Sequence, residues 1–590
     1  MTSTDLSTPD SVRRGSTPDS DPGGSSPDSN QEGSSPGPGS FLDGGPALSP
    51  QARNLGETLV RAAAHGSSEG IRFIGSDGTE TVLTYSRLLD GAARMLGGIR
   101  AAGVEPGATI VLQIADDPEL LSAFWACVLG GYLPLPVNAG ATADQRAAAP
   151  GLLERVWQGY GTPKVITGAG QEITPAVAAH PDWHGAWLGD TRRLLSHAPA
   201  GDWHRAEPDD PAMLLLTSGS TGVPKAVVLS HRNVLSRTAA TVAANGLSQA
   251  TRSFNWMPLD HVGGLVMFHA RDVYLGCHQV HARFEWVLGD PLRWLDGISR
   301  HRADTTWAPN FAFGLLNDQA DRLTERTWDL SCLRYIMNGG EAIRGKVVRR
   351  FLGLLAPFGL PRDAMYPGWG MSETSAGVAD CEFWAVNEGD DRYVPVGRPQ
   401  PGTAVRVVDE HNRVVPTGTL GRLQVSGASV TAGYHRNEEQ NRQSFTDGWF
   451  RTGDLAYVEK GVLTVTGRAD DVIRVGDVTY HGHEIEARVE ELGEVVPSYT
   501  VASQVTGAGG TEELAVFFHP RPGFDAAEVA ARVRERVALT LGVRVAHAVP
   551  VGREEIPKTG IGKLRRAQLR ERFEAARGHG RTGPSPRPTS

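Results

Sequence analysis

The stretch LLLTSGSTGVPKAVVLSHR at residues 214–232 joins an apolar run to a loop of glycine and hydroxyl residues. Backbone amides beside glycine can approach an anion closely, hydroxyl groups donate further hydrogen bonds, and Lys225 adds a positive charge. The loop is not of the GxxxxGKS/T type, because Lys225 follows Pro224 and precedes Ala226. This argues against a P-loop kinase or ATPase and favours another kind of phosphate-binding loop. The residues expected to bind phosphate are Thr217, Ser218, Gly219, Ser220, Thr221, Gly222 and Lys225.

Helix and strand patterns alternate on the N-terminal side of this loop. Apolar residues recur at helical spacing between Thr84, a candidate cap, and Gly103, a candidate stop. The strand-like TIVLQI at residues 109–114 and an apolar helix near residues 120–129 follow. Such alternation is typical of an α/β domain with a largely parallel sheet, which we assign to residues 50–467.

The elements become smaller from about Arg468 onward. This part of the chain forms a separate α+β lid domain over residues 468–575 in our interpretation. The expected fold class is α/β, with a large N-terminal domain of mixed, largely parallel sheets and a small α+β C-terminal lid. The elements predicted for the lid are a helix near residues 484–492, strands near 499–504 and 514–519, and a helix near 526–541.

Both ends of the chain have compositions typical of disorder. Residues 1–49 are rich in Ser, Pro, Gly, Asp and Thr, and they repeat STPD at 7–10 and 16–19 and SSPD at 25–28. A segment of this kind buries too little apolar surface to offset its ordering entropy. Residues 576–590 are short, basic and rich in proline, so we expect disorder there as well.

Composition and charge exclude several classes of protein. The chain has 590 residues, of which 40% are hydrophobic, so two or more packed domains are expected. A net charge of -9 argues against a nucleic-acid partner. No apolar run approaches the roughly 20 residues of a membrane helix and no signal peptide is present, so we expect a soluble, cytoplasmic protein without a membrane partner. The four cysteines form no CxxC pair, which argues against zinc and disulfide frameworks and favours buried free thiols.

Further motifs follow the phosphate loop along the chain. They read MNGGEAI at residues 337–343, YPGWGMSETSAG at 366–377, DGWFRTGDLAYV at 447–458, GRADDVIRV at 467–475 and IPKTGIGKLRR at 556–566. In this order the set resembles the adenylate-forming superfamily, which includes acyl-CoA synthetases, fatty acyl-AMP ligases, adenylation domains of nonribosomal peptide synthetases, and luciferases. The resemblance covers about residues 50–575, is closest to acyl-AMP ligases of assembly lines, and implies ATP as a substrate.

The resemblance implies that the YPGWGMSETSAG motif binds the nucleotide. An aromatic ring can stack on adenine, a hydroxyl can bond to the α-phosphate, and a carboxylate can hold Mg²⁺, a hard cation that prefers oxygen ligands. By resemblance these roles fall on Trp369, Ser372 and Glu373. Thr217 of the phosphate loop is the second residue expected at the metal.

The neighbouring motifs are expected to complete the nucleotide site. Gly339, Gly340 and Glu341 match the family loop against which adenine and the acid lie. Asp454 matches the residue that accepts hydrogen bonds from the ribose hydroxyls. Arg468 matches a residue that approaches the ribose or the phosphate from the start of the lid.

The last group of matched residues concerns the reacting acid. A positive charge held against both a carboxylate and a phosphate oxygen offsets the repulsion between two anions, which is the main barrier to forming an acyl phosphate anhydride. Lys563 matches the family's adenylation lysine, and His261 matches the aromatic-gate position beside the acid. Asp470 matches the hinge about which the lid rotates between the half-reactions, and turn residues at a domain boundary suit a hinge.

The expected reaction forms an acyl adenylate with release of pyrophosphate and then transfers the acyl group to a thiol. Many CoA-using relatives have a basic residue after a glycine where this chain has Gly476 and Asp477, and TYHGHEIE at residues 479–486 looks closer to fatty acyl-AMP ligases. Because an acidic side chain repels the phosphates of CoA, we favour the phosphopantetheine of an acyl carrier protein over CoA. The expected setting is secondary metabolism, including antibiotic biosynthesis.

The acid is not determined by the sequence. The stretches at residues 255–276 and 307–316 resemble adenylating domains attached to polyketide and peptide assembly lines. Trp307, Asn310 and Phe313 either line the acid pocket or belong to the core, and several aromatics suit an aryl or medium acyl group.

Several alternatives stay open at this point. One is an acyl-CoA synthetase of general fatty or aryl acid metabolism, and another is adenylation of a small or inorganic oxyacid with transfer to an amine. A luciferase-like oxygenase would need a luciferin and O₂, and no feature of the chain points to one. A non-catalytic nucleotide-binding scaffold is disfavoured because Glu373 and Lys563 are both present.

Overall fold

The computed structural model describes residues 39–68, 70–140, 143–171, 173–217, 224–386, 392–475, 478–507, 511–559 and 562–579. The disorder expected for residues 1–38 and 580–590 therefore lies outside the described residues. The same is true of part of the predicted phosphate loop, Ser218, Gly219, Ser220, Thr221 and Gly222, and of Gly476 and Asp477 in the lid.

The described strands and helices of the N-terminal part end at Arg468. The strands are β1 (Phe41–Asp43), β2 (Ile71–Ile74), β3 (Glu80–Leu83), β4 (Thr109–Gln113), β5 (Leu133–Pro136), β6 (Lys164–Thr167), β7 (Trp187–Asp190), β8 (Pro211–Thr217), β9 (Lys225–Ser230), β10 (Arg252–Asn255), β11 (His278–Ala282), β12 (Thr305–Ala308), β13 (Tyr335–Asn338), β14 (Met365–Met371), β15 (Ala376–Asp380), β16 (Arg398–Pro399), β17 (Thr403–Val408), β18 (Gly421–Gly427), β19 (Gly433–Tyr434), β20 (Phe445–Thr446), β21 (Trp449–Glu459) and β22 (Val462–Arg468). The α-helices are α1 (Leu55–His65), α2 (Tyr85–Ala101), α3 (Asp117–Gly130), α4 (Ala143–Gly159), α5 (Pro175–Ala179), α6 (Trp183–Ala186), α7 (Thr191–Leu195), α8 (His231–Ala244), α9 (Arg271–Leu275), α10 (Phe284–Gly289), α11 (Leu292–His301), α12 (Asn310–Asn317), α13 (Gly345–Leu355), α14 (Phe383–Val386) and α15 (Glu438–Ser444).

The lid has fewer elements. Its strands and helices are β23 (Val472–Val475), β24 (Val478–His481), α16 (Gly482–Val489), β25 (Val495–Thr506), β26 (Glu512–Pro520), α17 (Ala526–Leu541), β27 (His547–Pro550) and α18 (Arg566–His579).

A nine-stranded sheet organises the N-terminal part, in the order β16-β15-β14-β13-β12-β10-β11-β2-β3. The pairings from β14 through β13, β12, β10 and β11 to β2 are parallel, and the outer pairings are antiparallel. The central strands β11, β12 and β13 are buried along their whole length, which is typical of parallel strands covered by helices on both faces.

Three further sheets surround this one. β5-β4-β6-β7 is parallel, whereas β19-β9-β8 and the six-stranded sheet containing β1, β17, β18, β20, β21 and β22 are antiparallel. The predicted phosphate loop connects β8 to β9, which pair from Pro211 with Ser230 to Thr217 with Lys225. The mixed, largely parallel α/β class expected from the sequence is confirmed.

Local signals correctly place several helices. The Thr84 side chain accepts a hydrogen bond from the backbone N–H of Arg87 (3.3 Å) and caps α2, which ends just before Gly103. Asp116 caps α3 in the same way, and Gly131, with φ of 73°, ends it in the left-handed conformation that glycine adopts at little cost. In the lid, α17 has the predicted bounds.

The structure corrects both predicted tails at their inner ends. Residues 41–43, which the sequence assigned to the disordered N-terminal tail, form β1 and pair with β17 from Phe41 with Arg406 to Asp43 with Ala404. Composition over a long window hid this short strand, because FLD is flanked by glycine and proline on both sides. Residues 576–579, assigned to the C-terminal tail, continue α18.

The lid has a hydrophobic core of its own. Ile485 from α16, Val516 from β26 and Val533 from α17 are fully buried together. This supports the separate lid, whose boundaries at residues 468 and 575 stay a prediction.

Two composition-based expectations can be compared with the described residues. No helix among them is long and apolar enough to cross a membrane. All four cysteines are free, and Cys127 and Cys277 are buried whereas Cys332 and Cys381 are partly exposed.

Candidate active site

One cavity of about 2970 Å³ lies between the lid and the carboxyl ends of β10, β12 and β13. The carboxyl edge of parallel strands is where open α/β sheets bind ligands. Every predicted site residue that the structure describes lines this cavity. They are Thr217, Lys225, His261, Gly339, Gly340, Glu341, Trp369, Ser372, Glu373, Asp454, Arg468, Asp470 and Lys563.

The two described ends of the predicted phosphate loop reach the cavity from β8 and β9. The Lys225 ammonium donates a hydrogen bond to Oε1 of Gln440 (2.5 Å) and lies 5.4 Å from the centre of the Tyr434 ring. Partial burial lowers the pKa of Lys225, and the nearby Glu373 carboxylate acts in the opposite direction. Gln440 and Tyr434 therefore hold the Lys225 side chain in place.

The turn after β14 presents Ser372 and Glu373 to the cavity. β14 and β15 are antiparallel with a bulge at Trp369 and Gly370, and the connection reverses through Ser375 and Ala376, whose φ angles are 59° and 115°. Non-glycine residues rarely adopt such angles, and backbone strain of this kind is concentrated at functional sites. The tight reversal fixes the position of the turn.

Glu373 is buried, with 5% of its surface exposed. Burial raises the pKa of its carboxyl group, and a hydrogen bond from the hydroxyl of Tyr434 to Oε1 (2.7 Å) opposes that rise. Tyr434 therefore contacts both Glu373 and, through its ring, Lys225. Tyr434 lies outside the sequence motifs, and a Gly-Tyr pair carries no signal of its own, so the sequence did not indicate this residue.

Trp369, Asp454 and Arg468 form a second connected group. The indole Nε1–H of Trp369 donates to Oδ2 of Asp454 (2.9 Å), and Nη1 of Arg468 donates to Oδ1 of Asp454 (3.2 Å) and to the Thr452 carbonyl (2.8 Å). Burial raises the pKa of Asp454, and Arg468 and Trp369 lower it. These bonds align an aromatic face and a carboxylate on the same side of the cavity.

Lys563 enters the cavity from the lid. A Cβ placed on Gly340 would lie 3.6 Å from Cε and 3.7 Å from Nζ of Lys563, so the lysine passes close to backbone that carries no side chain. Burial lowers the pKa of Lys563, and the carboxylates of Glu341 and Asp454 oppose that effect. One positive charge thus lies among several acidic groups at the centre of the cavity.

His261 and Trp307 form an aromatic wall. Their rings are stacked at 14° with centres 6.4 Å apart, and the Trp307 indole donates to Oδ1 of Asn255 (3.2 Å). A Cβ on Gly263 would lie 2.1 Å from the Trp307 ring, so only glycine allows this packing. Burial lowers the pKa of His261 to about 3, which keeps the imidazole neutral.

The sequence left open whether Trp307, Asn310 and Phe313 line the acid pocket or belong to the core, and the structure distinguishes them. Trp307 and Asn310 line the cavity. Phe313 is fully buried and packs on Trp294 and Phe351, so it belongs to the core. The predicted hinge residue, Asp470, lies in a one-turn 3-10 helix, Ala469–Asp471, between β22 and β23.

A model of the family described as AMP-binding enzyme matches residues 60–435. The chain is 32% identical over 546 residues to a nonribosomal peptide synthetase of Aspergillus terreus, with 88% of this chain and 58% of the relative covered. It is 31% identical over 555 residues to an atromentin synthetase of Paxillus involutus, with 88% and 56% covered. The chain therefore spans less than two thirds of the length of these relatives.

Solved structures show the same architecture. The chain matches the McyG A-PCP structure complexed with phenylalanyl-adenylate with a TM-score of 0.85 and 36% identity, over 91% of this chain and 98% of that one. It matches a multidomain structure of a keto acid-selecting nonribosomal peptide synthetase module with a TM-score of 0.84 and 35% identity, over 91% of this chain and 47% of that one.

Proposed function

The chain belongs to the AMP-binding enzymes, which are AMP-forming adenylating ligases, and from this premise we propose that its cavity activates an organic acid with ATP and passes the acyl group to a thiol. The observation that carries the proposal is the position of Lys563 beside Gly340 and Glu341, in the cavity that Glu373 and Asp454 also line. In the first half-reaction a carboxylate oxygen bonds to the α-phosphorus as the bond to the β-phosphate oxygen breaks and pyrophosphate leaves.

The protein supplies charge and orientation for this step. Lys563 offsets the repulsion between the carboxylate and the phosphate, and this interaction strengthens in the transition state. Asp454 holds the ribose, Trp369 provides a face for adenine, and Lys225 binds phosphate oxygens. Two anions held in line at contact distance react much faster than free ones.

The donor set also fits Mg²⁺. Glu373 offers a buried carboxylate in the cavity that Thr217, at the described end of the phosphate loop, also lines, and oxygen ligands are what this cation prefers. No group of three or more His, Cys, Asp or Glu side chains able to hold a metal occurs among the described residues. Phosphate oxygens would therefore complete the coordination, and the cation would neutralise charge on the phosphates.

We propose an aryl acid as the substrate, with an aryl 2-oxo acid first among the candidates. The wall of His261 and Trp307 is flat and, because burial keeps the imidazole neutral, uncharged. The similarity to a structure bound to phenylalanyl-adenylate supports an aromatic acyl group, and the similarity to a keto acid-selecting module supports a keto acid. A phosphopantetheine thiol on a carrier protein is the preferred acceptor, supported by the similarity to a structure that contains a carrier protein. CoA is the second candidate.

The test is acid-dependent exchange of labelled pyrophosphate into ATP. A panel of aliphatic, aryl and aryl 2-oxo acids is measured first, and the best acid is then incubated with ATP and either holo carrier protein or CoA for intact-mass analysis. We expect exchange with aryl acids and a mass increase on the carrier protein. Exchange with no acid of the panel would contradict acid activation, and acylation of an amine alone would contradict the thiol acceptor.

A further inference from the structure

A salt bridge between the two domains starts at the residue that ends the MNGGEAIR segment. Nη1 of Arg344 lies 2.6 Å from Oε2 of Glu490, at the turn after α16 of the lid. The Glu490 side chain is 8% exposed and that of Arg344 is 28% exposed, and Glu490 also accepts a hydrogen bond from the backbone N–H of Ser498 (2.8 Å). The pair is therefore largely shielded from water.

The MNGGEAIR segment also forms hydrogen bonds to α12, the helix whose first residue, Asn310, lines the cavity. The backbone N–H of Arg344 donates to Oδ1 of Asn310 (3.1 Å), and Oε1 of Glu341 accepts from the backbone N–H of Phe311 (2.6 Å). Both partners lie in the first turn of α12. The position of Arg344 is thus set by the element that lines the cavity.

The lysine loop, which we define as residues 556–559 and 562–565 of the lid, contacts Phe311 and the MNGGEAIR segment. A Cβ on Gly562 would lie 3.0 Å from the ring of Phe311, and Gly562 itself has φ of 82°, a conformation that suits glycine. The next residue, Lys563, passes Gly340. The lid therefore contacts residues that line the cavity both at the lysine loop and at Glu490.

We propose that Arg344 is a positioning residue for adenylation, which holds Lys563 in the cavity by binding Glu490 of the lid. The inference rests on the proposed function of Lys563 but concerns a different residue, which acts through the lid and touches no reacting atom. The Arg344–Glu490 pair also connects the lid to the first turn of α12, through the hydrogen bonds to Asn310 and Phe311. The shape of the acid site and the position of Lys563 therefore depend on each other.

A neighbouring ion pair provides a contrast. Nζ of Lys346 lies 3.8 Å from Oε1 of Glu491, and the lysine side chain is 76% exposed. Exposed pairs contribute little because water screens them, whereas removing one partner of a shielded pair leaves a charge without compensation. Lys346 is the matched control, since it lies in the first turn of α13, which follows Arg344, and pairs with Glu491, the residue after Glu490.

The experiment measures the reactivity of Lys563 in the full chain without substrates. Arg344→Met, Glu490→Gln and Lys346→Met variants are treated with an amine-acylating reagent, and each lysine is quantified by mass spectrometry. We expect acylation of Lys563 to rise about tenfold in the first two variants and to stay at the wild-type level in Lys346→Met. This readout does not depend on finding the acid.

Pyrophosphate exchange provides the second measurement. We expect kcat to fall about tenfold in Arg344→Met with little change in the KM for ATP, and the double variant with Glu490→Gln to be no worse than either single variant. Arg344→Lys should recover part of the loss, because lysine keeps the positive charge but lacks the planar guanidinium group of arginine.

Two results would overturn the inference. One is wild-type reactivity of Lys563 in both Arg344→Met and Glu490→Gln, and the other is additive losses of exchange in the double variant. If all lysines of Arg344→Met become reactive, that variant is unfolded, and Glu490→Gln, which keeps an acceptor for Ser498, decides the question. If the wild type shows no pyrophosphate exchange but the Lys563 reactivities are as expected, the proposed function is contradicted and the role of Arg344 is not.

Discussion

The environment of Lys563 distinguishes this residue from the other lysine of its loop. Lys563 lies among Glu341, Asp454 and Glu373, whose charges stabilise its ammonium form against burial. Lys558 lies 3.4 Å from the centre of the Tyr499 ring, and burial lowers its pKa to about 8. Lys558 is therefore packed on an aromatic face, whereas Lys563 lies among carboxylates.

The first prediction concerns the half-reactions. We expect Lys563→Ala to abolish pyrophosphate exchange, because no other group takes over the position between carboxylate and phosphate. Transfer of the acyl group from a supplied acyl adenylate to the thiol should continue, since that step breaks no phosphoanhydride bond. Equal losses in the exchange and transfer assays would contradict this assignment.

The second prediction concerns Tyr434 and the metal. A hydrogen bond to a charged group is worth about 1.5–3 kcal/mol, so Tyr434→Phe should raise the Mg²⁺ concentration for half-maximal exchange about tenfold. The loss of this donor also raises the pKa of Glu373 further, so the effect should be larger at pH 6 than at pH 8.

Tyr132→Phe is the matched control for this variant. The Tyr132 hydroxyl donates to the Val104 carbonyl (3.0 Å), and Tyr132 does not line the cavity. This control also removes a hydrogen bond donated by a tyrosine hydroxyl, but the acceptor is a backbone carbonyl and Glu373 is not affected. An equal rise in the Mg²⁺ requirement for both variants would mean that Tyr434 acts only on stability.

Among the elements, α3, a π-helix at Gly263–Ala270 and β11 are joined by one buried polar network. The Trp125 indole donates to Nε2 of His269 (2.8 Å), so the proton of His269 is on Nδ1, which donates to Oε1 of Gln279 (2.9 Å). His281 donates to the same oxygen through Nε2 (2.7 Å) and accepts from Asn255 at Nδ1. Asn255 in turn holds Trp307, so the network supports the aromatic wall.

The third prediction is a pH dependence of stability. Burial lowers the pKa of His269 to about 4 from its ordinary value of 6.5. Between these values the unfolded chain binds a proton that the folded chain does not, so His269 contributes stability above pH 6.5 that is lost as the pH falls towards 4. The free energy of unfolding, measured in urea, should therefore fall less steeply with decreasing pH in His269→Gln than in the wild type. The difference should be about 1.4 kcal/mol per pH unit between about pH 6 and 4.5.

The exposed His411 provides the control for that measurement. His411→Gln should keep the slope of the wild type, since the change is on the surface. Parallel pH profiles for His269→Gln and the wild type would show that His269 takes up its proton in the folded state.

At the scale of the whole molecule, the cavity lies between two separate cores. The N-terminal part and the lid each bury their own apolar side chains, and the cavity is closed between them by the lysine loop and the Arg344–Glu490 pair. A ligand that fills both the nucleotide and acid ends of the cavity therefore contacts both parts.

The fourth prediction follows from this arrangement. An acyl sulfamoyl adenosine carrying the best acid should raise the melting temperature, because a ligand at 100 times its Kd stabilises the folded state by about 2.7 kcal/mol. Sulfamoyl adenosine without the acyl group should have a smaller effect at the same concentration. Equal shifts from the two compounds would mean that the acid end of the cavity makes no contact with the ligand.

The sequence by itself predicted the α/β class, the lid and several of the residues that line the cavity, although not Tyr434. It could do so because these features depend on local order: hydrophobic periodicity, caps such as Thr84, and motifs in which glycine, hydroxyl and charged residues follow one another at short spacing. It missed β1 because a three-residue strand is too short for a pattern, and its pairing partner, β17, is more than 350 residues away.

Only the tertiary structure decided which distant residues meet. Tyr434 contacts Glu373 from a separate sheet, Phe313 lies in the core while Trp307 lines the cavity, and Arg344 meets Glu490 across the two domains. Neither the Tyr434–Glu373 contact nor the Arg344–Glu490 contact has a fixed sequence spacing, because contacts between separate elements are set by packing rather than by position along the chain. The reaction class could therefore be predicted from local motifs, whereas the residues that position the reacting side chains depend on the fold.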